Sequence, residues 1–158
     1  MNLTDHFSLA EFERSETALR RGIPNRMPDE LLPNARHVCE ALELIRVHYD
    51  MPIILTSGYR GPALNEAIGG ARNSDHLRGM AADFFVIGHK KRQVITAIRR
   101  GMIAGLAYKQ VIAEFPDAQG EPAWCHLAVS LRTEENRAEG LIARHDAVTG
   151  RTVYETMG

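Results

Sequence analysis

Apolar and polar positions change period several times along the chain, and each change predicts an element. Phe7-Ser8-Leu9-Ala10-Glu11-Phe12 joins an S-x-x-E capping box, Ser8 with Glu11, to the hydrophobic-staple spacing of Phe7 and Phe12. A helix is therefore expected to begin at Ser8 and to fade through Arg20-Arg21-Gly22-Ile23-Pro24. From about Leu31 to Tyr49, the residues Ala35, Val38, Cys39, Leu42, Ile45 and Tyr49 fall on one helical face, and Asp50-Met51-Pro52 ends that helix. Ile53-Ile54-Leu55-Thr56 then reads as a short buried strand that delivers Ser57-Gly58-Tyr59-Arg60 to its end.

The second half carries the same kinds of signal. Gly61-Pro62 starts a short helix closed by Gly69-Gly70, and Ala71 to Gly79 is polar loop. Ala81 to Val86 is a second strand, and Arg92 to Ala104 is a helix burying Val94, Ile95, Ile98 and Met102, with Gly101 weakening its last turn. Val111 to Phe115 and Trp124 to Val129 are two further strands, joined as an antiparallel hairpin through the turn-rich PDAQGEP. The tail from Leu131 is ambiguous: RTEENRAEG reads as a solvated loop, and Leu141 to Tyr154 has room for a last hairpin around Thr149-Gly150.

Composition narrows the classes. The 158 residues are one domain's worth of chain, so residues 1–158 are expected to form a single domain. With 44% hydrophobic and 25% charged residues, the chain has the balance of a folded globular protein. Its 19 basic and 20 acidic residues give a net charge of -1, which supplies no field for nucleic acid or an anionic membrane. No apolar run approaches a membrane span and no signal-peptide pattern opens the chain, so synthesis in the cytoplasm without membrane insertion is expected. Two cysteines, Cys39 and Cys125, make neither a disulfide framework nor a CxxC metal site.

Candidate chemistry gathers around His76, Asp83 and His126. His37 and His48 lie on the polar flank of the long helix, where a solvated histidine is expected. His76 and Asp83 are seven positions apart, a separation of roughly 10 Å on one helix, too far for a shared ion. The segment is not helical, and Gly79 permits a reversal that brings loop and strand face to face. A carboxylate at Asp83, among Ala81, Ala82, Phe84 and Phe85, is costly to bury without a cation or a partner. In the strand Trp124 to Val129, Trp124, His126 and Ala128 face one way and Cys125, Leu127 and Val129 the other, so Cys125 should point away from any metal. Two histidines and one carboxylate leave an open fourth position, which characterises catalytic rather than structural zinc.

The ordered set Ser57-Gly58-Tyr59-Arg60, Pro62-Ala63-Leu64-Asn65, Gly69-Gly70, Ser74-x-His76-x-x-Gly79-x-Ala81-Ala82-Asp83 and Trp124-x-His126 resembles the M15 zinc peptidases. These are the D-alanyl-D-alanine carboxypeptidases and L-alanyl-D-glutamate endopeptidases, a group that includes many phage endolysins. The resemblance runs from about Phe7 to Ser130. It implies an α+β fold of the Hedgehog/D,D-peptidase type, a small mainly antiparallel sheet flanked by helices. It also implies Zn²⁺ held by His76, Asp83 and His126, with Tyr59 and Arg60 holding substrate. Ser74 either caps the turn presenting His76 or touches substrate. Arg60 suits its role because a guanidinium takes a carboxylate bidentately or stabilises charge developing on a carbonyl oxygen.

A general base is needed as well, and many relatives carry an acid three positions before the last histidine, where this chain has Ala123. Glu114 is the first choice: in a hairpin register that sets it opposite Trp124, its carboxylate falls on the His126 face. Glu121 and Asp117 remain alternatives, since a one-residue slip would turn Glu114 away. No S-x-x-K, K-T-G, G-x-S-x-G or P-loop pattern offers a different chemistry.

The expected function is hydrolysis of a peptide bond in peptidoglycan stem peptides by a monomer, with phage or prophage wall lysis as the setting. The protein would reach the wall after release from the cell or as part of a phage particle. The rival expectation is a zinc-containing wall-binding or phage structural module without turnover, for which the missing acid at Ala123 is the best support.

Overall fold

The computed structural model describes residues 1–158. Its centre is a six-stranded sheet made of β1 (Ile53–Ser57), β2 (Ala81–Val86), β3 (Gln110–Glu114), β4 (Trp124–Ala128), β5 (Glu139–His145) and β6 (Thr152–Thr156). The strand order is β1-β2-β4-β3-β5-β6. Every neighbouring pair is antiparallel except β3 with β5. The fold is therefore α+β with a mostly antiparallel sheet.

One face of the sheet is the floor of the core. Val38, Leu42 and Ile45 of α3 (Leu32–Tyr49) and Val94 and Ile98 of α5 (Lys91–Arg99) pack with Phe84, Val86, Val111, Cys125 and Leu127. Because side chains alternate along a strand, Asp83, Glu114 and His126 are left on the opposite face. Cys125 is fully buried on the core side, away from His126.

The N-terminal helix is shorter than its pattern predicts. The capping box forms, with Ser8 N–H donating to Glu11 and Glu11 N–H to Ser8 Oγ, but α1 ends after Leu9–Glu13. Ser15 Oγ accepts from Ala18 N–H and caps a second helix, α2 (Glu16–Arg21), which Gly22 closes in the left-handed conformation. A second local N-cap outcompeted continuation of the first helix. Likewise α5 stops at Arg99 rather than Ala104, since Gly101 turns the backbone to φ +66°. Strand β3 stops at Glu114 because Phe115 adopts φ 46°. The short helix at Gly61-Pro62 is α4 (Pro62–Ala67). The ambiguous tail folds as the β5–β6 hairpin, turning at Asp146 to Gly150, after a single 3-10 turn at Thr133–Glu135. No helix is long and apolar enough to cross a membrane.

Candidate metal centre

The loop between α4 and β2 presents His76 through local hydrogen bonds. Ser74 Oγ accepts the His76 backbone N–H at 3.3 Å, starting a 3-10 turn over Asp75–Arg78 that Gly79 closes at φ 65°. Asp75, whose side chain is almost fully enclosed, is gripped by Lys109 Nζ at 2.9 and 3.0 Å and by Arg78. The turn is thereby tied to the start of β3. The imidazole is then aimed by its Nδ1–H, which donates to the carbonyl of Gly58 at 2.6 Å and leaves Nε2 free to bind a cation.

Asp83 and His126 come from neighbouring strands in direct register. Asp83 Oδ1 lies 3.3 Å from His76 Nε2 and 2.9 Å from His126 Nδ1. His76, Asp83 and His126 are 3%, 6% and 7% exposed, so all three are withdrawn from bulk water. Burial alone would raise the Asp83 carboxyl; the two imidazoles outweigh it and hold the group well below the usual carboxylate range. An ionised carboxylate thus sits between two ring nitrogens.

This donor set fits zinc. Bonds of about 2.0–2.1 Å at a tetrahedral angle put ligand atoms roughly 3.3 Å apart; Asp83 Oδ1 is that close to both ring nitrogens, and with all three ligand atoms within 4.8 Å of one another the site would close slightly on an ion. Two imidazoles with one carboxylate are also borderline donors of the kind zinc takes, and they leave a fourth position open. No other cluster of histidine, cysteine and carboxylate side chains has its ligand atoms so close together.

Beside the cluster stand one carboxyl and one guanidinium side chain. Glu114 stands opposite Trp124, which is one alternation along β4 from His126, so its carboxylate shares the metal face. Burial pushes the Glu114 carboxyl up to about 7; Asp83 adds to the rise, while His126 and Arg60 oppose it. Arg60 follows β1 and reaches back to place NH2 4.0 Å from Asp83 Oδ2, with NH1 donating to Asn65 Oδ1 at 3.3 Å. Its loop is held by Asn25, which donates to Tyr59 O and accepts from Gly61 N–H.

Other residues singled out from the sequence are engaged elsewhere. Tyr59 is 4% exposed and packs with the hydrophobic core, whereas Arg60 of the same motif reaches Asp83. Ser74 acts as a turn cap. Glu121 Oε1 accepts the Lys91 N–H at 2.7 Å, and Asp117 Oδ1 accepts from the Gln119 and Glu121 backbones, which occupies the two alternative bases in a turn and at the start of α5. His37 lies beside Glu40 on the exposed side of α3. Sequence reasoning missed Tyr154: the register Glu114↔Ala143↔Tyr154 puts it on the metal face, and burial, then the charge of Glu114, raises its hydroxyl. Only the Thr149-Gly150 turn signal hinted at its strand.

Residues 5–113 match the family model described as Peptidase M15. The chain belongs to the M15 peptidase family. M15 membership implies a metallopeptidase, and M15 peptidases are zinc-dependent, which agrees with a buried His76-Asp83-His126 cluster able to hold a metal. The M15 match takes in Arg60, His76 and Asp83 and stops one residue before Glu114. His126 joins the centre through the β2–β4 ladder. No curated protein matches the chain.

Proposed function

We propose that the protein is a zinc peptidase that hydrolyses a peptide bond in bacterial peptidoglycan stem peptides, with the ion held by His76, Asp83 and His126. The observation that carries the catalytic reading is Glu114: a buried carboxyl on the metal face whose proton affinity burial raises to about 7 in the metal-free protein. That is the range in which one group serves as base and then as acid.

Zinc bound at the three ligands supplies Lewis acidity, polarising a peptide carbonyl and acidifying a water. Glu114 takes the proton of the attacking water at its carboxylate and returns it to the leaving amine. Arg60, oriented by Asn65, donates N–H groups to a substrate carboxylate or to the carbonyl oxygen as it gains charge. Asp83, unable to hold a proton between two imidazoles, stays a ligand rather than a second base. The resemblance of the motifs to phage endolysins extends the reading to phage or prophage wall lysis.

Mass spectrometry of muropeptides incubated with the zinc-loaded protein tests this. Loss of a terminal alanine marks a carboxypeptidase, and release of the stem after its first alanine marks an endopeptidase; chelator must abolish either. Unchanged muropeptides with zinc bound would overturn the proposal in favour of a binding module.

A further inference from the structure

β1 is an edge strand: β2 pairs with one side of it, and no strand pairs with the other. The Ile87 N–H donates to Pro52 O, and by antiparallel alternation the N–H and C=O of Leu55 then point away from β2. No side chain or loop of the protein hydrogen-bonds them. Unpaired edges are usually covered or blunted, because they template pairing with another chain.

Here the open edge forms one wall of a groove. The groove has a volume of about 480 Å³ and runs between Leu55-Thr56-Ser57 and α2, with Leu64 and Ile68 of the α4 region at one side. That size lies within the roughly 300–1,000 Å³ of ligand sites. Ser57 and Arg60 line one end of it; Ser57 pairs with Asp83 in the ladder and Arg60 NH2 lies 4.0 Å from Asp83 Oδ2, so that end borders the metal centre. Its charged lining is Arg14, Arg20 and Arg60 against Glu16 alone. Arg14 meets Glu16 only at 3.8 Å with both side chains exposed, and Arg20 forms no ion pair. Ile54 and Ile68, 41% and 43% exposed, offer apolar contact between the charges.

From these features we infer that the groove is the subsite for the extended part of the substrate: a carboxylate-bearing peptide that adds to the free edge of β1 and runs into the metal centre past Arg60. Leu55 would exchange two backbone hydrogen bonds with it, in the manner of strand addition. Arg14 and Arg20 would take its carboxylates. The inference rests on the peptidase reading above and names where and how the substrate is held beyond the cleaved bond: as an extended, anionic strand on the edge of β1.

The test uses full-length Glu114→Gln protein loaded with zinc, so that the peptide stays uncut, and a synthetic stem pentapeptide with free carboxylates. Amide hydrogen exchange is followed by NMR. The Leu55 amide is expected to exchange freely without peptide and to slow by at least about tenfold at saturation. Arg20→Glu is expected to weaken binding of this peptide by about tenfold, the size of one charge-assisted hydrogen bond, and to weaken an amidated peptide far less. Cleavage of muropeptides by the parent protein with Leu55 unprotected in the bound variant would overturn the groove assignment and leave the peptidase reading intact. Equal effects of Arg20→Glu on acidic and amidated peptides would overturn the charge recognition. A protein that neither binds nor cuts the stem peptide overturns both readings.

Discussion

His76 Nδ1 sits 2.6 Å from the carbonyl oxygen of Gly58, which joins the motif after β1 to the motif before β2. The contact fixes which ring nitrogen carries the proton and therefore which one, Nε2, is left as an acceptor facing Asp83. The backbone at Gly58 also runs close against α1, since a Cβ there would strike the Phe12 carbonyl and stand 2.8 Å from the Phe12 ring.

Gly58→Ala is accordingly expected to destabilise the protein by about 1–3 kcal/mol through overpacking against α1. By displacing the carbonyl that orients His76, it should also weaken zinc by about 10–100-fold. Urea unfolding of the metal-free protein and a competitive zinc titration measure the two effects separately.

Metal binding should need both ligand-bearing parts of the chain. Either His76→Ala or His126→Ala is expected to abolish stoichiometric zinc, read by elemental analysis after gel filtration. In the parent, free zinc at a hundred times its dissociation constant should add about 2.7 kcal/mol of stability, and chelator should remove it.

Glu114 gives the metal-free protein a pH dependence of stability. Its carboxyl is raised from an ordinary 4.5 to about 7, so between those values the folded state binds more protons than the unfolded chain. Stability therefore falls as pH rises through that window, and the full penalty applies above it. Glu114→Gln should be more stable than the parent by about 3 kcal/mol at pH 8 and equal to it near pH 4, as measured by urea melts. The same variant, with zinc bound, should lose roughly 10²–10⁴-fold in turnover.

Lys109 acts on the centre at one remove, by clamping Asp75 beside His76. Lys109→Met keeps the packing of the stem but frees the turn. Zinc affinity is expected to fall by about tenfold while far-UV circular dichroism stays unchanged. An unchanged zinc affinity would reduce the Lys109–Asp75 pair to a merely structural tie.

Much of this was legible before the fold was known, for local reasons. The face of α3 announces itself through Ala35, Val38, Leu42 and Ile45, all buried. The hairpin of β3 and β4 follows from two β-rich runs around a turn, and its register sets Glu114 opposite Trp124 as its hydrophobic alternation requires. What escaped was non-local. β5 pairs in parallel with β3, and nothing in its own residues marks that partner. Tyr154 is on the metal face only because β5 carries β6 there. Lys109 and Asn25 look like ordinary polar positions until their partners, Asp75 and the Tyr59–Gly61 loop, are brought beside them. The split of the first helix at Ser15 was local and readable, but two capping signals lay within one apparent helix.

The β2–β4 ladder also dictates when an ion can be captured during folding. Asp83 and His126 are 43 positions apart, and the intervening chain must form α5 and lay β3 on the far side of β4. Such long-range pairing closes late, after the loop entropy has been spent. Zinc would thus find its three ligands assembled only in a nearly native chain. It would lengthen the lifetime of the folded protein by slowing unfolding and leave the rate of folding almost untouched.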